Sequence, residues 1–262
     1  LVTIQYAHVY MEIILYGNVV THLYFGLNSA LRSTGHPHVA MSATIATVVI
    51  NAILDPLFIF TFGLGIQGAA YATVLSQFAA LIYITVVLSN KKDLIHLHAG
   101  IYGLRKRIVK NILAIGMSPF AMQLCACLVV ILINKGLAKH GGDLAIAAYG
   151  IVNSATFLAV MVVLGICQGM QPIAGFNFGA QQPDRVDEVL RKAIILATII
   201  MIVDFIICVF FPQYIVILFT SDPALTELAS RGMRIVCLLS PIVGFQIVTG
   251  NFFQSIGMAK RS

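Results

Sequence analysis

Charged residues are scarce in this sequence. Only 10% of its 262 residues are Asp, Glu, Lys or Arg, whereas 59% are hydrophobic, and the mean hydropathy is +0.94. An ordinary soluble domain carries about 25% charged residues. So few charges cannot cover a water-facing surface. The composition therefore excludes a soluble globular domain and indicates a chain that lipid covers.

Cysteine is also rare, and tryptophan is absent. All of the cysteines fall inside apolar runs, and none shows the spacing of metal ligands or of a disulfide framework. We interpret them as small residues of the helix interior. They are Cys125, Cys127, Cys167, Cys208 and Cys237.

Long uncharged runs occupy most of the chain. Crossing roughly 30 Å of hydrocarbon takes a helix of about 20 residues. Only helices and closed barrels satisfy their backbone in lipid, and the alternation over about 10 residues that marks a barrel strand is absent. We therefore predict an all-α, polytopic transmembrane helical bundle. Its seven spans are placed at 8–31, 37–62, 67–89, 109–134, 144–170, 190–211 and 228–255.

Basic residues are distributed unevenly between alternate loops. Twelve Lys and Arg fall in or beside the loops 32–36, 90–108 and 171–189 and the C-terminal end, and four fall on the opposite side. The positive-inside rule places the first set in the cytoplasm. Orientation and anionic lipid headgroups thus account for the net charge of +6 without a nucleic-acid partner.

The longest polar stretch suggests how the bundle is divided. Residues 90–108, between spans three and four, are rich in charged residues, which is typical of a linker on the cytoplasmic side. We predict that residues 1–89 and residues 109–262 belong to two different lobes.

Three carboxylates lie within or beside apolar runs: Glu12, Asp55 and Asp204. A charged side chain at mid-bilayer costs about 2.5–3.5 kcal/mol on insertion scales, so such residues usually face an interior cavity. Glu12 lies close enough to a span end to reach water. Asp204 is surrounded in sequence by Ile, Val and Phe, and its role is left open between structure and function.

Asp55 ends a polar stripe on one helix face. Thr44, Thr47 and Asn51 precede it at helical spacing. The next residue is a proline, which lacks a backbone donor and therefore frees the carbonyl four residues earlier. The Asn51 and Asp55 side-chain oxygens and that carbonyl are suitable ligands for a hard cation, and a carboxylate removed from water can alternatively hold a proton.

Small residues open the following span, in the stretch GIQGAAYATVLSQ (65–77). They allow close helix packing. Thr73, one turn further in, could offer its hydroxyl to Asp55, although a threonine in a span often bonds only its own backbone. Other polar residues could line a cavity or tie helices together, among them Gln123, Asn153, Gln246 and Asn251, along with Thr44 and Thr47.

The segment NAILDPLFIFTFGLGIQGAAYATVLSQ (51–77) resembles the fifth and sixth helices of the multidrug and toxic compound extrusion (MATE) family. ALRSTGHPHVAM (30–41), GMSP (116–119) and QGMQPIAGFNFGAQ (168–181) support the resemblance. It implies a chain truncated at both ends to helices four to ten of twelve. It also implies two pseudo-symmetric six-helix lobes, a monomer in the bacterial inner membrane, and export of cationic amphipathic compounds in exchange for Na⁺ or H⁺, without an organic cofactor.

The resemblance also implies an ion site. In the branch of the DNA-damage-inducible exporters, an Asp of the first helix acts with residues that look like Asn51, Asp55 and Thr73 here, which would be the metal ligands if sodium is the coupling ion. Tyr10 and Asn28 match further polar members of that network. The other branch uses carboxylates on the seventh and tenth helices, and this sequence has none around Cys127 or Gln246. It therefore resembles the first branch.

Three other functions remain as alternatives. A lipid-linked oligosaccharide flippase of the same superfamily would need basic residues deep in its spans to bind pyrophosphate, and none is present there. A seven-span receptor is suggested only by the number of spans. An enzyme is not expected, because no Gly-x-Ser-x-Gly, His-Glu-x-x-His or paired intramembrane Asp motif occurs.

Overall fold

The computed structural model describes residues 2–89, 103 and 105–258. No strand occurs in these residues, which confirms the all-α prediction. A π-helix (Leu57–Thr61) follows α2, and a 3-10 helix (Cys237–Leu239) connects α7 to α8. The α-helices are α1 (Val2–Ser33), α2 (Pro37–Pro56), α3 (Ile66–Leu88), α4 (Lys106–Gly179), α5 (Pro183–Phe210), α6 (Pro212–Val216), α7 (Pro223–Val236) and α8 (Ser240–Ser255).

Five segments of the described chain are long and apolar enough to cross a membrane. They are Pro37–Thr61, Ile66–Leu88, Lys106–Gly179, Pro183–Phe210 and Pro223–Ser255. The 32 residues of α1 also suffice by length. However, α1 falls short of the others in hydropathy because polar residues such as Glu12, Asn18 and His22 interrupt its apolar positions.

The 74 residues of α4 contain two of the predicted spans. A straight helix of that length would extend about 110 Å, far beyond one bilayer. The helix breaks at Gly142, whose φ of 63° is one that glycine adopts at little cost. The predicted division between the spans 109–134 and 144–170 is thus confirmed. The second arm continues to Gly179, so helix occupies much of the predicted loop 171–189.

The last predicted span, 228–255, is not one continuous helix. It consists of α7, the 3-10 turn and α8, and Pro241 lies at the start of α8 as expected of a proline that interrupts a helix. Asp222 begins α7 by accepting hydrogen bonds from the backbone amides of Ala224 (2.9 Å) and Leu225 (3.4 Å). This is an ordinary N-cap, which fixes the start of α7.

The chain divides into two compact units between residues 104 and 105. Unit 1 contains α1 to α3 and has one apolar core, built around Leu31, Ala43 and Ile84. Unit 2 contains α4 to α8 and has two buried clusters, one around Met201 and Val248 and the other around residues such as Val216 and Met233. The assignment of these units to two lobes stays a prediction. Most of the linker 90–108 lies outside the described residues.

Candidate functional site

The C-terminal part of the polar stripe on α2 is a pair of half-buried side chains, Asn51 and Asp55. Asn51 Nδ2 donates a hydrogen bond to Asp55 Oδ1 at 3.3 Å. The four-residue spacing places the two side chains on one face, as predicted.

The helix loses its regular hydrogen bonding directly after this pair. Pro56 has no amide donor, and the amide of Leu57 bonds the carbonyl of Leu54. The π-helix then begins, and the Phe62 amide reaches back five residues to the Leu57 carbonyl at 3.0 Å. Short π-helical turns occur frequently at functional sites because they displace side chains and expose backbone carbonyls. The sequence predicted the free carbonyl of Ala52 but not the π-helical turn.

The N-terminal part of the stripe, Thr44 and Thr47, forms hydrogen-bond contacts with α1. Tyr24, which is 3% exposed, donates its hydroxyl proton to Thr44 Oγ1 at 3.2 Å, and its oxygen lies 3.4 Å from Thr47 Oγ1. Asn28, also 3% exposed, donates to the Ala40 carbonyl at 3.0 Å. Thr44 and Thr47 therefore connect α2 to α1, and their part in lining a cavity stays a prediction.

Tyr24 is a member of this network that the sequence reasoning missed. It stands four residues before Asn28, so the two share a face of α1. The four-residue spacing was the sequence signal that could have placed Tyr24 beside Asn28. Tyr10 is half-buried on the same helix, and none of the hydrogen bonds described for this network involves it.

Of the two alternatives for the Thr73 hydroxyl, the structure shows the bond to its own backbone. Its proton is donated to the Ala69 carbonyl one turn earlier, at 2.9 Å, and not to Asp55. The reason is geometric, since a threonine inside a helix reaches the i−4 carbonyl without distortion. The oxygen of Thr73 still has acceptor capacity.

The residues predicted to line a cavity in unit 2 are mostly exposed there. Gln123, Asn153 and Gln246 lie on the surface of the unit. Asn251 is half-buried and accepts a hydrogen bond from Gln171 Nε2 at 2.9 Å. It thereby connects α8 to α4, and the cavity-lining role of these residues stays a prediction.

Asp204 has polar partners that its sequence neighbours did not indicate. Ser240 Oγ donates to Asp204 Oδ2 at 3.0 Å, and Cys208 Sγ donates to Asp204 Oδ1 at 3.4 Å. Ser240 begins α8, so the contact joins two segments that are far apart in sequence. Glu12, by contrast, is exposed on α1.

Similarity to known proteins agrees with this arrangement of helices. Over 251 residues the chain is 27% identical to the multidrug export protein MepA of Staphylococcus aureus, with 96% of this chain and 55% of that protein covered. It is 25% identical over 258 residues to the protein of the same name in Staphylococcus saprophyticus, with 98% of this chain and 57% of that protein covered. The chain thus spans about half the length of these curated relatives.

Solved structures give the same result for the fold. An outward-facing multidrug resistance MATE family transporter of the MOP superfamily matches with a TM-score of 0.88 at 25% identity, covering 97% of this chain and 57% of that one. A MOP superfamily transporter from Pyrococcus furiosus, described as having a binding pocket of reverse polarity, matches with a TM-score of 0.88 at 24% identity, with the same coverage. The sequence profile of the MatE family matches residues 115–262. This multi-pass membrane chain therefore belongs to the MatE family.

Proposed function

We propose that the protein is a secondary active multidrug efflux antiporter that exports cationic amphipathic compounds in exchange for Na⁺ or H⁺. Membership of the MatE family and the names of the Staphylococcus relatives support the efflux function. The observation that carries the coupling is the half-buried Asn51–Asp55 pair beside the π-helix. A carboxylate within a membrane helix that ends in irregular backbone is the kind of site where transporters bind coupling ions.

Asp55 supplies the charge on which the coupling depends. Its carboxylate binds either a proton or a sodium ion, so the two compete for one group. Asn51 and the Ala52 carbonyl freed by Pro56 lie within one turn of it and supply neutral oxygens of the kind that a hard cation prefers. Neutralisation of Asp55 removes the cost of a charge in the membrane, which allows the surrounding helices to repack between two facing states.

The distribution of basic residues supports a cationic substrate. Lys and Arg stand at the ends of the predicted spans and not deep within them. A cation therefore meets no fixed positive charge inside the membrane region. The pyrophosphate group of a lipid-linked oligosaccharide would, for the same reason, find no basic partner there.

Accumulation of a fluorescent cation tests the efflux proposal. Cells that express the protein should retain less ethidium than vector-only cells, and the difference should disappear when the ion gradients are collapsed. Proteoliposomes given either a sodium gradient or a pH gradient then identify the coupling ion. Equal accumulation with and without the protein, across a broad panel of cationic dyes, would refute multidrug export.

A further inference from the structure

Three ligand-type side chains of unit 2 come together at the break in the last span. Asp204 and Cys208 lie one turn apart on α5, and Cys237 begins the 3-10 helix between α7 and α8. One ligand atom from each lies within 4.8 Å of the other two. Both thiols are buried and the carboxylate is half-buried.

Polar groups surround this cluster and orient it. Ser240 Oγ holds the second carboxylate oxygen of Asp204 at 3.0 Å, and Thr156 Oγ1 lies 3.7 Å from Cys237 Sγ. Cys208 and Cys237 belong to one apolar buried cluster, which also contains Val216 and Met233. The site thus has the protein shell that keeps metal ligands in place.

The spacing of these atoms fits a tetrahedral site. With zinc–sulfur and zinc–oxygen bonds of about 2.3 and 2.0 Å, neighbouring sulfur and oxygen ligands stand about 3.5 Å apart and two sulfurs about 3.8 Å apart. Cys208 Sγ and Asp204 Oδ1 are already 3.4 Å apart. Since no pair exceeds 4.8 Å, closure of the site takes a shift of at most about 1 Å between the two sulfurs and about 1.3 Å between Cys237 and Asp204.

We propose that Asp204, Cys208 and Cys237 bind a thiophilic divalent cation such as Zn²⁺ or Cd²⁺, which clamps α5 to the break between α7 and α8. Two thiolates and one carboxylate select such an ion over Na⁺ or Mg²⁺, which prefer all-oxygen ligands. Each thiol loses its proton to solvent as its sulfur binds the metal. The Ser240 hydroxyl or a water molecule completes the fourth position.

This inference is independent of the proposed ion coupling. The coupling concerns Asp55 in unit 1, whereas the cluster lies entirely in unit 2. Two simpler arrangements would explain the same geometry. The thiols and the serine could serve only as hydrogen-bond partners for a carboxylate in the membrane, or the two thiols could join as a disulfide.

A cobalt titration tests the proposal. The purified chain in detergent, reduced and stripped with a chelator, should bind one Co²⁺. Binding should produce sulfur-to-cobalt charge-transfer bands and the visible bands of tetrahedral cobalt, and Zn²⁺ should abolish both. Replacement of a ligand in Cys208→Ser, Cys237→Ser or Asp204→Asn should weaken binding at least about tenfold, since even outer-shell changes cost about 10–100-fold.

Cys167→Ser is the matched control. Cys167 is a buried thiol of the same unit, 1% exposed, and is not one of the three clustered ligands. Its replacement should leave the cobalt spectrum and affinity unchanged. The proposal is wrong if the fully reduced wild-type chain gives no charge-transfer band, or if Cys167→Ser weakens binding as much as Cys237→Ser. The wild-type titration decides the question even where a variant fails to fold.

Discussion

Asp55 owes its special position to two neighbours in the chain. Asn51, one turn earlier, donates to its carboxylate, and Pro56, immediately after it, ends the regular hydrogen bonding of α2. The carboxylate is therefore held in place on one side and borders an irregular backbone on the other. These features distinguish it from Glu12, which is exposed.

The substitution Asp55→Asn keeps the shape of the side chain but removes its charge. The new amide oxygen can still accept the hydrogen bond from Asn51, and a neutral amide is cheaper to place in a membrane than a carboxylate. We expect normal expression and membrane insertion but complete loss of ion-coupled ethidium efflux. Glu12→Gln is the control that should retain efflux. Wild-type efflux by Asp55→Asn under an ion gradient would show that another group carries the coupling.

Residue contacts within one helix could be predicted, whereas those between helices could not. The Asn51–Asp55 pair follows from a spacing of four, which any helix brings onto one face. The Asp204–Ser240 contact spans 36 residues and depends on how α5 packs against α8. The Thr73 hydroxyl bonds the Ala69 carbonyl of its own helix, a contact that a threonine can make in any helix.

At the scale of elements, the π-helix is held by the close approach of α3. A Cβ atom added at Gly68 would stand 2.7 Å from the backbone carbon of Phe58 and 2.8 Å from its oxygen. Backbone atoms cannot rotate away as a side chain can. Gly68 therefore allows α3 to pack directly on the irregular turn that follows Asp55.

Gly68→Ala should accordingly destabilise unit 1. Overpacking of this kind costs about 1–3 kcal/mol, so we expect a lower unfolding temperature in detergent together with reduced efflux. Gly26→Ala on α1 is the matched control, because no heavy atom lies within 4 Å of the added Cβ. It should be neutral or stabilising, since alanine is the better helix former by up to about 1 kcal/mol. Equal stability of the two variants would contradict the tight contact.

Helix interruptions were only partly predictable. Pro56 is the last residue of α2 and Pro241 lies at the start of α8, whereas Pro119 lies inside α4 without a break. A proline in a membrane helix is tolerated where neighbouring groups satisfy the freed carbonyl. The sequence alone does not say which prolines have such neighbours. The division of the last span into α7 and α8 falls just before Pro241.

At the scale of the whole molecule, the helical fold followed from the uncharged runs, because lipid imposes helix formation on each span separately. Packing within each unit did not follow, since it depends on side chains far apart in sequence. The orientation prediction rests on charge alone and concerns both ends of α5. Its 28 residues extend about 42 Å, enough to cross roughly 30 Å of hydrocarbon.

Single cysteines before α5 and after α6 test that orientation. Gln182, just before α5, precedes Arg185 and Arg191 and should face the cytoplasm, whereas Ser221, between α6 and α7, should face outward. Both positions are exposed. In intact cells an impermeant maleimide should label Ser221→Cys and leave Gln182→Cys unlabelled, and permeabilised cells should label both. The background should carry serine at the exposed native cysteines, Cys125 and Cys127. Basic residues are expected to stay on the cytoplasmic side of the membrane. Labelling of Gln182→Cys but not of Ser221→Cys in intact cells would mean that the basic residues do not set the topology of this chain.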